Sequence, residues 1–523
     1  MMAEISEGCI DTSYSGTLYL PQPIIQEIMS YLPLRIATQI SILSKDWNHA
    51  FNTLPALEFD EETFERKDIS GHDAKTKNDT FLEYVNGYIS RRREHDLSID
   101  LMSLLIFSSG DKLNSKVPKW IDTASRLNLR ALTLGRIVDY PNKRSYEQKC
   151  PDLISDTISV LHLSHLSMRG VKMRLPRLEE LVLHKAHESD NVVNKLMLSC
   201  PTLRRVELIN CFRSTDLLIC GPKLETFEAS AMLQNESFSI SISAPNLVSF
   251  SYTSVFIMAF RDGQLSALQV HGAQNLRELA LDLCVIGIRT IREAVSRLRL
   301  LETLRLKGSR YTERIRITHK NLKHLALTGF DSLVRVKTQT PNLVSFQYDG
   351  PNIVAIGPRD STRLANARLE VDFGVRNKRR SYLKAAKFLR YFGCCDSLTL
   401  ACNGVEALVI PREIRGEMLP PLRDVKHLRL QILCNTSEAD SSSQLTESLR
   451  WMCPDLETLV VNFEPRREEK TSSAISFGPH RDKYSRSNRK MGCSESSTAA
   501  VAMRDAFLTK KTDLTSYAGS SRL

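Results

Sequence analysis

The sequence predicts an α/β protein in which a small N-terminal helical module precedes a long solenoid built on a parallel sheet. Two observations lead to this prediction. Apolar residues at helical spacing, interrupted by prolines, crowd the stretch 20–47, and the pattern Leu-x-x-Leu-x-Leu recurs from about residue 129 onward. The expected organisation is a flexible N-terminus at 1–15, the helical module at 16–58, a connecting region with capping helices at 59–128, the solenoid at 129–463 and a disordered tail at 464–523.

Prolines delimit the first predicted helix. Pro21 and Pro23 suit a first helical turn, because proline lacks only an N–H group that this turn would leave unpaired. Pro33 should end the helix, because the residue before a proline avoids the α region. The apolar residues between them fall at i, i+1, i+4 and i+8 and are expected to share one face: Ile24, Ile25, Ile28 and Leu32.

Two further short helices are predicted. The second carries Leu34 and Ala37, and then Ile40 or Ser41, at helical spacing. Ser44 is a suitable N-cap for the third, whose apolar residues are Trp47, Ala50 and Phe51. Three helices in about 35 residues cannot easily bury this many large side chains. We therefore expect the module to complete its core on another protein.

These residues resemble an F-box. The family pattern has a Leu-Pro pair, apolar helical positions, a second Leu-Pro pair and a Ser-x-x-Trp ending. It is matched here by Leu20-Pro21, Leu32-Pro33 and Leu43-Ser44 with Trp47. The stretch 54–60 is similar to the family's exit strand. Gln39-Ile40 departs from the pattern, which often has a Val and a Cys or Thr in this helix.

The resemblance implies binding to the Skp adaptor, and through it to cullin, in a Skp–cullin–F-box ubiquitin ligase. In the alternative interpretation, the segment is an N-terminal cap whose same residues face the domain behind it. The adaptor-binding residues expected from the resemblance are Leu20, Pro21, Ile24, Ile25, Ile28, Leu32, Pro33, Leu34, Ala37, Leu43, Ser44 and Trp47.

The connecting region begins with a charged stretch, Glu61 to Asp79, that we expect to be mobile. A strand is predicted from Asp96 to Phe107, followed by a helix that contains Trp120. The helix predicted before that strand is centred on the apolar residues Phe81, Leu82, Val85, Tyr88 and Ile89.

The repeat array has a period of 20–29 residues, which is the leucine-rich-repeat signature. Its alternating part predicts one strand per repeat, with the apolar side of each strand facing the solenoid core. Cys211 and Cys284 fall eight residues after a leading leucine and are interpreted as core residues. The leading apolar positions are Leu178, Leu203, Leu224, Leu247, Leu276, Leu301, Leu322 and Leu343.

Chemistry-bearing motifs are scarce. The pairs His162/His165 and His184/His187 could suggest a metal, but no Cys-x-x-Cys or acidic partner has ligand spacing. The adjacent cysteines 394 and 395 have poor geometry for one tetrahedral ion. The sequence shows no glycine-rich phosphate loop, Gly-x-Ser-x-Gly or His-Glu-x-x-His motif. We therefore predict a non-catalytic protein with no metal and no cofactor.

The charge of the chain is dilute. Of the net charge of +11, the tail supplies +5, from 12 Lys/Arg and 7 Asp/Glu, and the rest is spread over 463 residues. This favours solubility over nucleic-acid binding, which usually concentrates charge in one patch. No apolar run reaches the roughly 18 residues of a membrane helix, and residues 1–13 do not resemble a targeting signal. We expect a cytoplasmic or nuclear protein, with 91–93 and 378–380 as either nuclear-import patches or solvated helix faces.

The whole stretch 18–463 resembles plant F-box proteins with leucine-rich repeats, and 383–463 resembles their FBD-like end. The resemblance implies a substrate-recognition subunit of a ubiquitin ligase, whose solenoid binds an unidentified protein target. Two alternatives remain open on the sequence alone: an interaction scaffold outside the ligase, or a receptor that senses a small molecule.

Overall fold

The structure is a computed structural model of the chain, and it divides into two compact units, Met1–Leu134 and Gly135–Leu523. The residues that it describes are 20–32, 34–61, 74–106, 111–136, 149–186, 192–213, 216–233, 238–254, 265–270, 272–282, 287–308, 312–356, 364–373, 379–403, 408–434 and 442–465.

The first unit contains helices and strands that are neighbours in the order β1-β2-β3. Strands β1 and β2 run parallel. The three short helices and the exit strand predicted from the sequence are confirmed. The helices are α1 Gln22–Tyr31, α2 Leu34–Ile40, α3 Lys45–Thr53, α4 Ala74–Glu94 and α5 Asp111–Arg126, and the strands are β1 Ala56–Asp60, β2 Leu101–Ile106 and β3 Ala131–Arg136.

Helix α4 confirms the helix predicted in the connecting region. The five apolar residues that predicted it, Phe81 to Ile89, are at most 6% exposed. The charged stretch expected to be mobile is partly wrong, because 74–79 belong to α4, while 62–73 lie outside the described residues. Strand β2 is shorter than predicted, because Asp96 has a φ of 49° and the chain turns there.

The second unit is a solenoid whose main sheet pairs the strand of each repeat in parallel with the strand of the next, so that the strand order follows the chain. These strands are β5 Val160–Ser164, β7 Glu180–His184, β8 Arg205–Arg213, β10 Thr226–Leu233, β12 Ser249–Ser254, β14 Glu278–Asp282, β15 Thr303–Lys307, β17 His324–Thr328, β19 Ser345–Gly350, β21 Asn366–Val371, β22 Ser397–Cys402, β23 His427–Cys434 and β24 Thr458–Pro465.

The strand register of this sheet places equivalent residues of successive repeats next to one another. Leu279, Leu304, Leu325 and Phe346 are consecutive partners on β14, β15, β17 and β19, and each is at most 2% exposed. The eight leading apolar residues of the repeats are also buried, at 5% exposure or less. Because a strand alternates its side chains, the intervening residues face outward. The predicted leucine-rich-repeat architecture is therefore confirmed.

The opposite layer of the solenoid mixes short strands and helices. Its parallel sheets are β4-β6, β9-β11-β13 and β16-β18-β20. The strands are β4 Leu153–Ile154, β6 Met173–Arg174, β9 Leu217–Cys220, β11 Phe238–Ser243, β13 Leu265–Gln269, β16 Arg314–Thr318, β18 Arg335–Gln339 and β20 Ala355–Ile356; the helices are α6 Val192–Ser199, α7 Ile288–Arg297, α8 Arg379–Arg390, α9 Arg412–Arg415 and α10 Ser442–Met452.

Asparagine side chains join successive repeats in the turns between the main sheet and the opposite layer. Each of four Nδ2 groups donates to a backbone carbonyl 21 to 24 residues earlier, at 2.6 to 2.9 Å. This spacing is one repeat, so the bonds satisfy turn carbonyls that no strand partner reaches. The four residues are Asn246, Asn321, Asn342 and Asn352.

Other sequence predictions meet mixed outcomes. Cys211 is 1% exposed, as predicted for a core residue, whereas Cys284 lies outside the described residues. The predicted tail begins too early, because residues 464–465 end β24; residues from 466 onward are not described. Cys394 is exposed and Cys395 buried, so the two thiols face different surroundings.

Candidate docking surface of the N-terminal helices

Helix α1 is held by its inner face. Ile25 and Met29, one turn apart, are 2% and 1% exposed, and α1 packs on α3. The Gln26 Nε2 donates to Thr53 Oγ1 at 2.9 Å, which ties the two helices together. Leu32 is extended, with φ −88° and ψ 140°, as predicted for the residue before a proline.

The outer face of α1 is apolar and open. Ile24, Ile28 and Tyr31 follow at i, i+4 and i+7 and are 45%, 36% and 58% exposed. We call these three residues the outer stripe. Exposed apolar groups that cluster in this way mark interaction surfaces more often than scattered ones do.

The apolar exposure continues beyond α1. Ile36 on α2 is 38% exposed, and Ile42 and Leu43 in the following turn are 81% and 71% exposed. Six of the fifteen large apolar side chains that the described residues expose therefore lie within 24–43. The helical module is the part of the described chain with the densest apolar exposure.

The twelve residues predicted from the resemblance divide into four groups. Pro21, Ile24, Ile28, Leu43 and Ser44 are exposed, and the exposure of Leu20, Leu32 and Trp47 is intermediate. Ile25 and Ala37, at 2% and 1%, are packed inside the module and have no free surface for a partner. Pro33 and the side chain of Leu34 lie outside the described residues.

The single predicted face of α1 is therefore two faces. Ile24 and Ile25 are adjacent, and successive helical residues point about 100° apart. Ile25 turns inward with Met29, while Ile24 turns outward with Ile28. Sequence reasoning missed Tyr31, Ile36 and Ile42, although the i, i+4, i+7 spacing of the outer stripe was visible in the sequence.

Helix α3 begins as predicted. Ser44 is its N-cap and accepts a hydrogen bond on Oγ from the Trp47 backbone N–H at 3.3 Å. Ala50 and Phe51 lie on its buried side. The cap satisfies one of the backbone donors that the first turn of a helix leaves without a partner, and so fixes where the helix starts.

Helix α4 anchors the module within the first unit. Arg92, at 2% exposure, donates from Nη2 to the carbonyl of Leu54, the C-cap of α3, and from Nη1 to the Ser98 carbonyl at 3.5 Å. Burial lowers the pKa of Arg92. Neither interpretation of the 91–93 run holds for this residue, because Arg92 is neither an accessible import signal nor part of a solvated face.

Aromatic rings surround this anchor. Tyr88 packs edge-on against Phe51 at a centroid distance of 5.8 Å and against Phe59 at 6.0 Å. Tyr84 lies 6.0 Å from Phe59 and 5.7 Å from Tyr88, and burial raises the pKa of Tyr88. Edge-to-face pairs add about 0.5–1.5 kcal/mol each beyond their buried area, so α4 supplies much of the core that α1 to α3 lack.

The histidines of the first repeats come together more closely than predicted. His162 Nε2 lies 3.4 Å from Glu180 Oε1 on the adjacent strand, and the rings of His165 and His184 meet edge-on at 5.2 Å. An acidic neighbour therefore arrives across strands, where sequence spacing could not show it. Within the described segments, no group of three or more His, Cys, Asp or Glu residues could hold a metal ion. His187 is not described.

No helix among the described segments combines the length and the apolar character that crossing a bilayer requires.

Comparison with known proteins matches two parts of the chain. Residues 18–58 match the family model described as F-box domain. Residues 95–272 match the model described as At1g61320/AtMIF1, LRR domain.

Curated relatives from Arabidopsis thaliana match longer stretches. The FBD-associated F-box protein At3g52670 is 25% identical over 52% of this chain and 66% of its own length. The F-box/LRR-repeat protein At3g59200 is 25% identical over 45% of each chain, and the putative F-box/LRR-repeat protein At3g59230 is 22% identical over 63% of this chain and 74% of its own. The chain spans less than two thirds of the length of the first two.

The first matched segment covers helices α1 to α3 and most of β1, and the second runs from just before β2 through the first repeats of the solenoid. The chain therefore carries an F-box domain and a leucine-rich-repeat domain, and it is similar to the F-box/LRR-repeat and FBD-associated F-box proteins of Arabidopsis thaliana.

Proposed function

We propose that this chain is the substrate-recognition subunit of a Skp–cullin–F-box ubiquitin ligase, in which the F-box docks on a Skp-type adaptor and the solenoid binds a protein target. The outer stripe carries this proposal. It places Ile24, Ile28 and Tyr31 on the free side of a helix within the segment that matches the F-box domain. The chain itself acts by positioning and carries out no bond chemistry.

The arrangement of α1 suits docking because its two faces have separate tasks. Ile25 and Met29 hold the helix on α3, so the outer stripe is presented in a fixed conformation before any partner arrives. Preorganisation of this kind lowers the entropic cost of binding. A few buried anchors usually dominate such interfaces, at about 2 kcal/mol or more each when truncated.

The solenoid supplies a second, independent surface. Outward positions on the main sheet are mostly polar, for example Ser249, Ser251 and Thr253 on β12. A target held there would be tethered near the ubiquitin-loaded conjugating enzyme, which raises the effective concentration of the target for ubiquitin transfer. The identity of the target is set by side chains that no repeat pattern specifies.

Adaptor co-purification tests the proposal. We expect Ile24→Ala/Ile28→Ala/Tyr31→Ala to weaken adaptor binding at least 100-fold, because three anchors at about 2 kcal/mol each exceed that loss. The control removes three apolar side chains of the second unit that are even more exposed, at 63%, 69% and 71%: Ile154→Ala/Leu198→Ala/Leu419→Ala. Equal adaptor binding by the two triple variants would refute the docking role of the outer stripe.

A further inference from the structure

An unusual charge arrangement lies on the small sheet β16-β18-β20, on the side of the solenoid away from the main sheet. Arg314 on β16 is the register partner of Arg335 on β18, and Arg316 is the partner of Lys337. All four side chains are exposed and alternate with buried residues. We call these four residues the cation quartet.

The quartet lowers the stability of the chain when no ligand is bound. Like charges directly opposite each other on neighbouring strands are destabilising, and this occurs twice in succession. Among the described residues, none of the four cations forms an ion pair or a side-chain hydrogen bond. The repulsion is therefore not offset by a carboxylate of the described chain.

The fold does not require charge at this place. The sheet β9-β11-β13 is the equivalent three-stranded sheet of earlier repeats. Its outward positions include Leu218 paired with Ser241, and Cys220 paired with Ser243, and none of these is charged. The repeat architecture therefore does not require the four cations, and they are specific to this surface.

The dimensions of the quartet fit one compact dianion. Neighbouring strands lie about 4.8 Å apart and alternate residues of a strand about 6.6 Å apart, so four flexible cationic side chains can reach one point above the sheet. The quartet ends at β20, where Ala355 is the partner of Arg335. A phosphate monoester carries about −1.5 to −2 charge at neutral pH, and guanidinium groups bind its oxygens in bidentate fashion.

We propose that the cation quartet binds a phosphorylated serine or threonine of the protein target, so that phosphorylation licenses recognition. This proposal rests on the target-binding role assigned to the solenoid above. A single phosphorylated side chain fits better than a nucleic acid, because an interface with nucleic acid buries about 600 Å² or more and this group of cations is limited to two strands.

Peptide binding by the full 523-residue chain tests this directly. The probe is an oriented peptide library with one fixed phosphoserine or phosphothreonine, compared with the same library unphosphorylated, in fluorescence anisotropy. We expect the parent chain to prefer the phosphorylated library, and Arg316→Gln/Arg335→Gln to bind it at least tenfold more weakly. Arg174→Gln/Arg177→Gln, which removes two exposed arginines outside the main sheet near the start of the solenoid, should bind like the parent.

Several outcomes would overturn the proposal. One is equal binding of the two libraries by the parent; another is loss in the Arg174→Gln/Arg177→Gln variant but not in the quartet variant. Quartet-dependent binding of a 20-nucleotide single-stranded DNA without any phosphopeptide preference would assign the surface to nucleic acid instead. A lower urea midpoint for the quartet variant than for the parent would show that the cations stabilise the free chain, contrary to the repulsion argued above.

Adaptor binding, measured on the same preparations, separates the two proposals. If the parent binds the adaptor but not the phosphorylated library, the quartet proposal fails and the ligase proposal stands. If quartet-dependent phosphopeptide binding is seen without adaptor binding, the ligase proposal fails. The quartet is then a phosphopeptide site, but the phosphopeptide is not part of a ubiquitination target.

Discussion

Replacement of Arg92 by methionine tests how the F-box is held in the first unit. Methionine keeps an unbranched apolar stem but has no donor, so the carbonyls of Leu54 and Ser98 lose their partner. Leu54 is 7% exposed, which means that water cannot easily replace the lost bond. The rest of the site, including the ring of Tyr88, is unchanged by the substitution.

Two opposing effects set the magnitude. A buried acceptor that loses its partner costs about 1–3 kcal/mol. Against this, methionine removes a buried charge, and apolar replacement of buried charges can be neutral or stabilising. Since no apolar side chain can satisfy the two carbonyls, the loss should prevail, and we expect the free energy of unfolding of the first unit to fall by about 1–2 kcal/mol.

Tryptophan fluorescence can report this unit alone. The chain has three tryptophans, and in a Trp451→Phe background the remaining two, Trp47 and Trp120, both belong to the first unit. With a urea dependence of about 2 kcal/mol per M, the middle of the usual range, the midpoint should fall by roughly 0.5–1 M. Arg93→Met is the matched control, because Arg93 is exposed. A midpoint for Arg92→Met at or above that of Arg93→Met would refute the reasoning.

Three further predictions concern other parts of the chain. Ile25→Ala should lower the free energy of unfolding by about 2–5 kcal/mol. Ile28→Ala should leave this free energy nearly unchanged and weaken adaptor binding. If urea titrations and pull-downs instead show that Ile28→Ala destabilises the chain and that Ile25→Ala weakens adaptor binding alone, the two-face description of α1 is wrong. Burial, with a smaller contribution from Lys185, lowers the pKa of His184 to about 4, against about 6.5 in the unfolded chain. Between pH 6.5 and pH 4 the unfolded state therefore binds more protons than the folded state, so the stability contributed by neutral His184 is full above pH 6.5 and falls as the pH drops toward 4. In His184→Phe, the difference between the unfolding midpoints at pH 7 and pH 5 should become smaller. Asn321→Ala should cost about 1 kcal/mol by leaving the Arg299 carbonyl without its donor, and an unchanged unfolding midpoint would show that water replaces the amide.

The repeat architecture was predictable because its signal is periodic. Each leading leucine occupies the same buried position, so one sequence samples the rule many times and a single irregular repeat does not hide it. Strand boundaries of the solenoid follow from the same alternation. The F-box was predictable for a different reason, since prolines and an N-cap serine at fixed offsets constrain where α1 and α3 start or end.

Long-range placement was not predictable by the same means. Glu180 reaches His162 and Arg316 faces Lys337 only because register places residues about 20 positions apart side by side. The burial of Arg92 depends on α4 crossing the end of α3, 38 residues away. Local sequence around a basic run predicts a solvated face, and nothing local signals that one member of the run caps another helix.

The expectation that the F-box completes its core on another protein needs revision. Phe51 and Phe59 are at most 6% exposed and are covered by the tyrosines of α4, so the same chain supplies the missing core. The apolar surface that stays exposed to solvent consists of the outer stripe together with Ile36, Ile42 and Leu43. A partner at that surface contributes binding energy to a module that is already folded, and this is why docking and stability should respond to different substitutions on the two faces of α1.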